Sequence, residues 1–200
     1  DKFLLKYFNT EKEESSKSFA FNWAQNSSSI NIYNIDLIKD EKTKISGKIQ
    51  IKLDNYKFSK LDLDLNSPRI EYNLIKKLWP KKISPKILNW MNKNVQDGYA
   101  ENISLKSTFI NTGEEFKNSN FLLSWLNKSS EFRVFKDLPK AELNEALCQL
   151  TNSMLKVDII NLEIDDVIVN KGQIIIDNIL TANTLATMNV NFKEDSKTLL

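Results

Sequence analysis

The feature that most constrains the fold is a strict two-residue alternation between Lys44 and Leu65. Ile45, Gly47, Ile49, Ile51 and Leu53 fall on one parity, and Lys44, Ser46, Lys48, Gln50 and Lys52 on the other. After an Asp54-Asn55 turn signal, Tyr56 and Phe58, then Leu61, Leu63 and Leu65, continue the apolar series, with Asp62 and Asp64 pointing the other way. A period of two places alternate side chains on opposite faces of an extended strand. A helix would scatter these residues around its circumference. The pattern therefore predicts paired strands with one apolar and one wet, Lys-rich face, as in antiparallel sheets.

The same signature recurs along the chain. Phe19, Phe21 and Trp23 alternate with Ala20 and Asn22. Ile30 to Ile38 switches parity midway, which predicts a β-bulge. Ile103, Leu105, Ser107 and Phe109 alternate after Gly98; Phe132 to Phe135, Leu155 to Ile159, the run around Ile164 to Val169, Gln173 to Leu180 and Ala186 to Phe192 add further strands. Turn signals stand at Asn26 to Ser29, Asn111-Thr112-Gly113 and Asn170-Lys171-Gly172, the last read as a hairpin loop with glycine at its left-handed position. Asn66-Ser67-Pro68 reads as a strand break. Two stretches stay open between helix and strand. Residues 114 to 130 carry Phe121, Leu122, Trp125 and Leu126 at helical spacing among poor helix formers, and residues 141 to 150 fit either period.

One helix is well punctuated. Ser84 and Pro85 suit an N-cap and first helical position, and Gly98 is placed to end the helix in a left-handed conformation. Between them Ile87, Trp90, Met91 and Val95 share one face. The expected fold is mainly β: an elongated, twisted antiparallel sheet, groove- or sandwich-like. It carries one capped α-helix at about 85–96, with a short second helix left open. The sheet portions are 17–77 and 99–192, divided by a Trp-Pro loop and helix at 78–98.

Composition narrows function mainly by exclusion. The chain has no histidine and one cysteine, Cys148, so triads built on histidine, His-based zinc sites and internal disulfides are absent. No nucleophile–base pair or metal cluster is visible, no cofactor or metal is expected, and the chain reads as non-enzymatic. A net charge of +2 gives no strong field, and the only arginines are Arg69 and Arg133. Nucleic acid is therefore not an expected partner. No run reaches the ~18 apolar residues of a membrane span. Asp1 in place of Met, with no signal peptide, reads as an internal segment of a longer protein.

Leu78-Trp79-Pro80, followed by Ser84-Pro85, Trp90 and Asp97-Gly98, resembles the AsmA-like family of bacterial envelope proteins, in its YhdP-like branch. Asp137-Leu138-Pro139, Leu155-Lys156-Val157 and Gly172 through Asp177 resemble a second, less specific pattern of that branch. The resemblance covers roughly residues 40 to 180. It departs at Lys86 and Asn89, where the family commonly has arginine. It implies a segment of a periplasmic β-groove, in an inner-membrane-anchored protein of a Gram-negative-type bacterium, that carries phospholipid toward the outer membrane. The implied partners are acyl chains, neighbouring segments of the same chain, and the membrane through parts outside this segment. The expected lipid-contacting residues are Phe19, Phe21, Trp23, Ile45, Ile49, Ile51, Leu53, Leu61, Leu63, Ile103, Leu105 and Phe109, with Ile87, Trp90, Met91 and Val95 as a helical lid. The competing expectation is a structural envelope domain with a sealed core, involved in outer-membrane assembly.

Overall fold

The computed structural model describes residues 18–38, 43–78, 85–113, 116–132, 140–164, 167–179 and 183–192. Ten strands form one antiparallel sheet in strict sequence order. They are β1 (Ser18–Gln25), β2 (Ser29–Ile38), β3 (Lys44–Asp54), β4 (Lys57–Glu71), β5 (Tyr99–Asn111), β6 (Phe116–Phe132), β7 (Ala141–Thr151), β8 (Met154–Ile164), β9 (Val167–Asp177) and β10 (Leu185–Phe192). The sheet is twisted and does not close. At ~4.8 Å between strands, its ten strands span about 43 Å from edge to edge. Two helices, α1 (Tyr72–Leu78) and α2 (Pro85–Asn94), interrupt the meander between β4 and β5. β4 and β5 pair directly, from Lys60 with Ile110 to Glu71 with Tyr99, so the two predicted sheet portions are halves of one sheet.

Several sequence expectations give way to tertiary pairing. Asn66-Ser67-Pro68 does not break the strand; β4 runs through it, and Ser67 pairs with Ile103. Tyr56 is not part of the apolar series. Asn55 and Tyr56 both have positive φ, 49° and 62°, in the tight hairpin between β3 and β4, and the Tyr56 side chain is exposed. Residues 116–132 and 141–151 are long strands rather than helices, because each has a strand neighbour on both sides. Asn170-Lys171-Gly172 is no hairpin loop: all three lie inside β9, and Gly172 pairs with Ile159 and Val190. A second helix forms at Tyr72–Leu78, at the end of the stretch expected as the first sheet portion.

The expected bulge in β2 is present. The register shifts between Ile32 and Ile35, and Asn34 takes φ +53°. Opposite it, Gly47 has φ +150°, and a Cβ there would sit 2.1 Å from the Asp64 carbonyl oxygen. Only glycine allows β3 to approach β4 this closely. Helix α2 starts at Pro85 as predicted, while Ser84 lies outside the described residues. It ends at Asn94, four residues before Gly98, so Gly98 is not its stop signal. Gly98 instead enters β5 with φ +103°, packed against the Ser129 and Ser130 backbone, and its carbonyl accepts a hydrogen bond from Tyr72 N.

Burial on the apolar face is concentrated in two clusters, only one of which contains helical residues. One cluster joins Ile70, Tyr72, Leu74 and Met91 of the helical region to Ala100 and Ile103 of β5. A second joins Ala141, Leu143, Ala146, Cys148, Val157, Ile159, Leu162 and Val169 of β7 to β9. Trp125 packs against both.

Candidate functional site

The apolar face can be followed across the sheet through its register. Ile35, Gly47, Leu65, Leu105, Leu123, Leu150, Leu155, Ile176 and Ala186 lie opposite one another in one row from β2 to β10. No polar side chain interrupts it. On the side away from the helices a second row runs Trp23, Ile32, Ile49, Leu63, Ser107, Phe121. A third joins Ile51, Leu61 and Phe109. Rows two residues apart along a strand are ~6.6 Å apart, so these three make a band about 13 Å wide.

This band is incompletely covered. Ile49, Ile51, Leu61, Leu63, Leu65, Leu105, Phe109, Phe121 and Leu123 are all half-buried, and at the β1 edge Trp23 is 60% exposed. Every described strand belongs to the one sheet, so no second sheet among the described residues packs over it. Fully burying a Leu or Ile side chain contributes ~1.5–3 kcal/mol. Each half-buried side chain in the band therefore leaves about 1 kcal/mol available to whatever apolar matter covers it. One polar inclusion sits in the floor: Ser107 is buried, donates to the Asn120 carbonyl, and accepts from Asn118 Nδ2 at 2.9 Å.

The opposite face carries ion pairs and polar pairs, with apolar residues such as Leu126, Leu147 and Ile175 among them over β6 to β9. Lys44 meets Asp36 at 3.0 Å, and Lys48 meets its register partner Asp64 at 3.5 Å. Gln50 donates to Asn31, and Gln173 to Asp158. Burial pushes the Asp62 carboxyl upward, but hydrogen bonds from Lys60 and Thr108 outweigh it and hold it below the usual carboxylate range. Hydrogen bonds from Lys156 and Gln173 hold Asp158 low in the same way. The Lys row is thus a solvated face, as its alternation implied.

The helical margin is built differently, around a buried hydrogen-bond chain. Trp125 Nε1 donates to the Tyr72 hydroxyl at 2.8 Å. That hydroxyl donates to Asn127 Oδ1, and Asn127 Nδ2 donates to the Leu143 carbonyl at 2.9 Å. Each polar group has a partner, which is what makes its burial tolerable. The chain clamps the start of α1 to β6 and β7. Burial drives the Tyr72 hydroxyl pKa well above the ordinary tyrosine value. Lys76 Nζ donates to the Val95 carbonyl, tying α1 to the residue after α2, and Gln96 N donates to the Glu131 carbonyl.

Comparison with protein-family models, curated proteins and solved structures gives no match.

The structure divides the predicted site residues. Ile49, Ile51, Leu53, Leu61, Leu63, Leu105 and Phe109 lie half-buried in β3, β4 and β5. Phe21 and Trp23 are exposed in the edge strand. Ile103 is buried with the helices, and Ile45 packs against the same cluster. Of the predicted lid, Met91 is buried in that cluster and Val95 packs beside it. The side chains of Phe19, Ile87 and Trp90 lie outside those described, as do residues 79–84 and 133–139. The sequence reading missed the half of the floor carried by Leu65, Leu123, Leu150, Leu155 and Ile176. Their signal was present in the alternation of Leu155 with Val157 and Ile159, but Leu123 and Leu150 lay in the two stretches where helix and strand competed. Cys148 is buried and free, and burial pushes its thiol up to about 12, so it is apolar filling. Among the described residues no three His, Cys, Asp or Glu side chains converge on a metal position. No described helix is long and apolar enough to cross a membrane.

Proposed function

We propose that this chain is a non-catalytic lipid-binding segment whose open apolar band takes up phospholipid acyl chains. The observation that supports it is the uninterrupted row from Ile35 to Ala186, flanked by half-buried Ile49, Ile51, Leu61 and Leu63 without a covering layer among the described residues. An acyl chain lying along the band gains ~0.8 kcal/mol per buried CH₂, and its headgroup can stay in solvent. Because the three rows lie side by side over β3 to β5, a chain can shift between them without leaving apolar contact. The resemblance at Leu78-Trp79-Pro80 and Trp90 adds the rest of the proposal: a periplasmic section of an inner-membrane-anchored conduit toward the outer membrane, its trough prolonged by neighbouring strands.

The test is native mass spectrometry of the purified protein after exposure to phosphatidylethanolamine–phosphatidylglycerol vesicles. Bound phospholipid is expected on the wild type and absent from a folded Ile49→Asp variant. A wild type that never acquires lipid overturns the proposal. The alternative, a structural envelope domain with a sealed core, draws on the two buried clusters, in which Ala146 and Val169 have no exposed surface. It requires Ile49→Asp to unfold the chain.

A further inference from the structure

Three side-chain atoms among the described residues are buried without a hydrogen-bond partner: Arg69 Nε, Asn118 Oδ1 and Glu131 Oε1. Two of these groups have another interaction. The Arg69 guanidinium lies 3.5 Å over the Tyr99 ring, and the Glu131 carboxylate is ion-paired with Lys140. Asn118 Oδ1 has neither. A buried acceptor left unpaired is costly, and native proteins hold few of them.

The position of Asn118 supplies a reason. It stands opposite Phe109, so it carries the third apolar row, Ile51, Leu61 and Phe109, on into β6. Its Nδ2 is committed to Ser107 Oγ, which puts both polar side chains on the apolar face. Ser107 in turn stands between Leu63 and Phe121. The unpaired oxygen therefore belongs to the open band. It also lies at the band's end: Phe109 is two residues before the end of β5, and Asn118 two residues after the start of β6. In the turn between them Thr112 and Gly113 are exposed, and a Cβ added to Gly113 would meet nothing within 4 Å. A polar head has room there. In the other direction apolar side chains lead from Phe109 and Leu63 through Ile49 and Ile32 to Trp23. From β6 to β1 is about 24 Å at ~4.8 Å per strand, comparable to an extended acyl chain.

We propose that Asn118 is the head-end contact of a phospholipid lying across the band. Its Oδ1 accepts a hydrogen bond from the headgroup, and the tails run toward β1. Lipids whose headgroup carries an N–H or O–H donor are then preferred. The Asn118 amide turns about a soft terminal torsion, which lets Oδ1 rise to meet the donor. Phosphatidylethanolamine and phosphatidylglycerol carry such donors; phosphatidylcholine, its ammonium fully methylated, carries none. The proposal rests on the lipid reading above and adds the direction of the lipid and the class of its headgroup.

The test exposes the purified protein to vesicles of dioleoyl phosphatidylethanolamine, phosphatidylglycerol and phosphatidylcholine in equal parts. The protein is then recovered and its bound lipid quantified by mass spectrometry. The first and third lipids differ only in the methyl groups on nitrogen and have the same net charge, so their ratio reads the donor. Wild type is expected to enrich phosphatidylethanolamine and phosphatidylglycerol about 5- to 10-fold over phosphatidylcholine, the effect of one hydrogen bond made or missed. Asn118→Leu, close in shape but without the acceptor, is expected to abolish the preference. Leu61→Ala, in the same row, is expected to lower the total bound lipid while keeping the wild-type ratio. Wild type that binds the three in vesicle proportion overturns this proposal alone. So does a folded Asn118→Leu protein that keeps the preference, and so does a preference lost equally in Leu61→Ala. No lipid on wild type overturns the lipid reading, and this proposal with it.

Discussion

The apolar face is one surface with two fates. In the two buried clusters, Ala100, Ala146, Leu162 and Val169 are at most 1% exposed. Away from them, Ile49, Ile51, Leu61 and Leu63 are each half-buried. Both regions have the same alternation and the same kinds of residue. What differs is what lies above them and what polar chemistry holds it there. Tyr72, Trp125 and Asn127 clamp α1 over the sealed margin, where a fully satisfied hydrogen-bond chain makes a unique arrangement. The open band has no such clamp. The polar inclusion in it, Ser107 with Asn118, is bonded within the sheet, with Asn118 Oδ1 left without a partner. The lesson is that alternation decides which face is apolar, while at the α1 margin a few polar groups fix what packs on it.

The sharpest way to break this contrast is to cut equal volumes from the two regions. Leu162→Ala, in the sealed cluster, is expected to cost about 3 kcal/mol, since a buried leucine leaves a cavity. Leu63→Ala is expected to cost about 1 kcal/mol, because much of that side chain is already in water. Thermal melts of the two variants check this, and equal shifts would erase the distinction. Next in size is the clamp. Tyr72→Phe removes the donor to Asn127 Oδ1 and the acceptor for Trp125 Nε1, and is expected to cost about 1–3 kcal/mol. Hydrogen exchange localises the loss: protection should fall in α1 and at the Asn127–Leu143 pairing while β3 and β4 keep theirs.

The smallest effect comes from the polar face. The Asp62 and Asp158 carboxyls are held below their ordinary values, so the folded state favours their charged forms. Their contribution is complete above the unfolded carboxylate pKa of about 4 and is lost as pH falls through the lower folded values. Stability measured by denaturant titration should therefore decline below pH ~4, and Asp62→Asn should flatten part of that decline. Both groups are partly exposed, and solvent screening keeps the effect small.

How much was legible in the sequence follows from the same physics. The β3–β4 hairpin, the bulge in β2 and the position of α2 were readable because each has a local cause: strict alternation, a parity switch, a proline start. Strands β6 and β7 were not, since Phe121, Leu122, Trp125 and Leu126 satisfy a helical period locally and only pairing on both sides selects the strand. Pro68 looked like a breaker because its lost N–H is costly in isolation, and nothing local reveals that β4 and β5 pair through it. The candidate band was half legible. Ile49, Ile51, Leu61, Leu63 and Leu105 announced themselves by alternation, whereas the continuation through Leu123, Leu150, Leu155 and Ile176 exists only in the register. The separation of Ile103 from Leu105, sealed against half-open, depends on helices placed over one margin and has no signature in β5 itself.

The central claim is that acyl chains lie on the open band and nowhere on the sealed margin. The most direct measurement is methyl-resolved NMR with a nitroxide-labelled phospholipid, its label placed on the acyl chain. The account predicts selective broadening of the Ile49, Leu63, Leu65 and Leu105 methyls, with Ile159, Leu162 and Val169 unaffected. Broadening spread evenly over both sets, or absent from the open band, would contradict it.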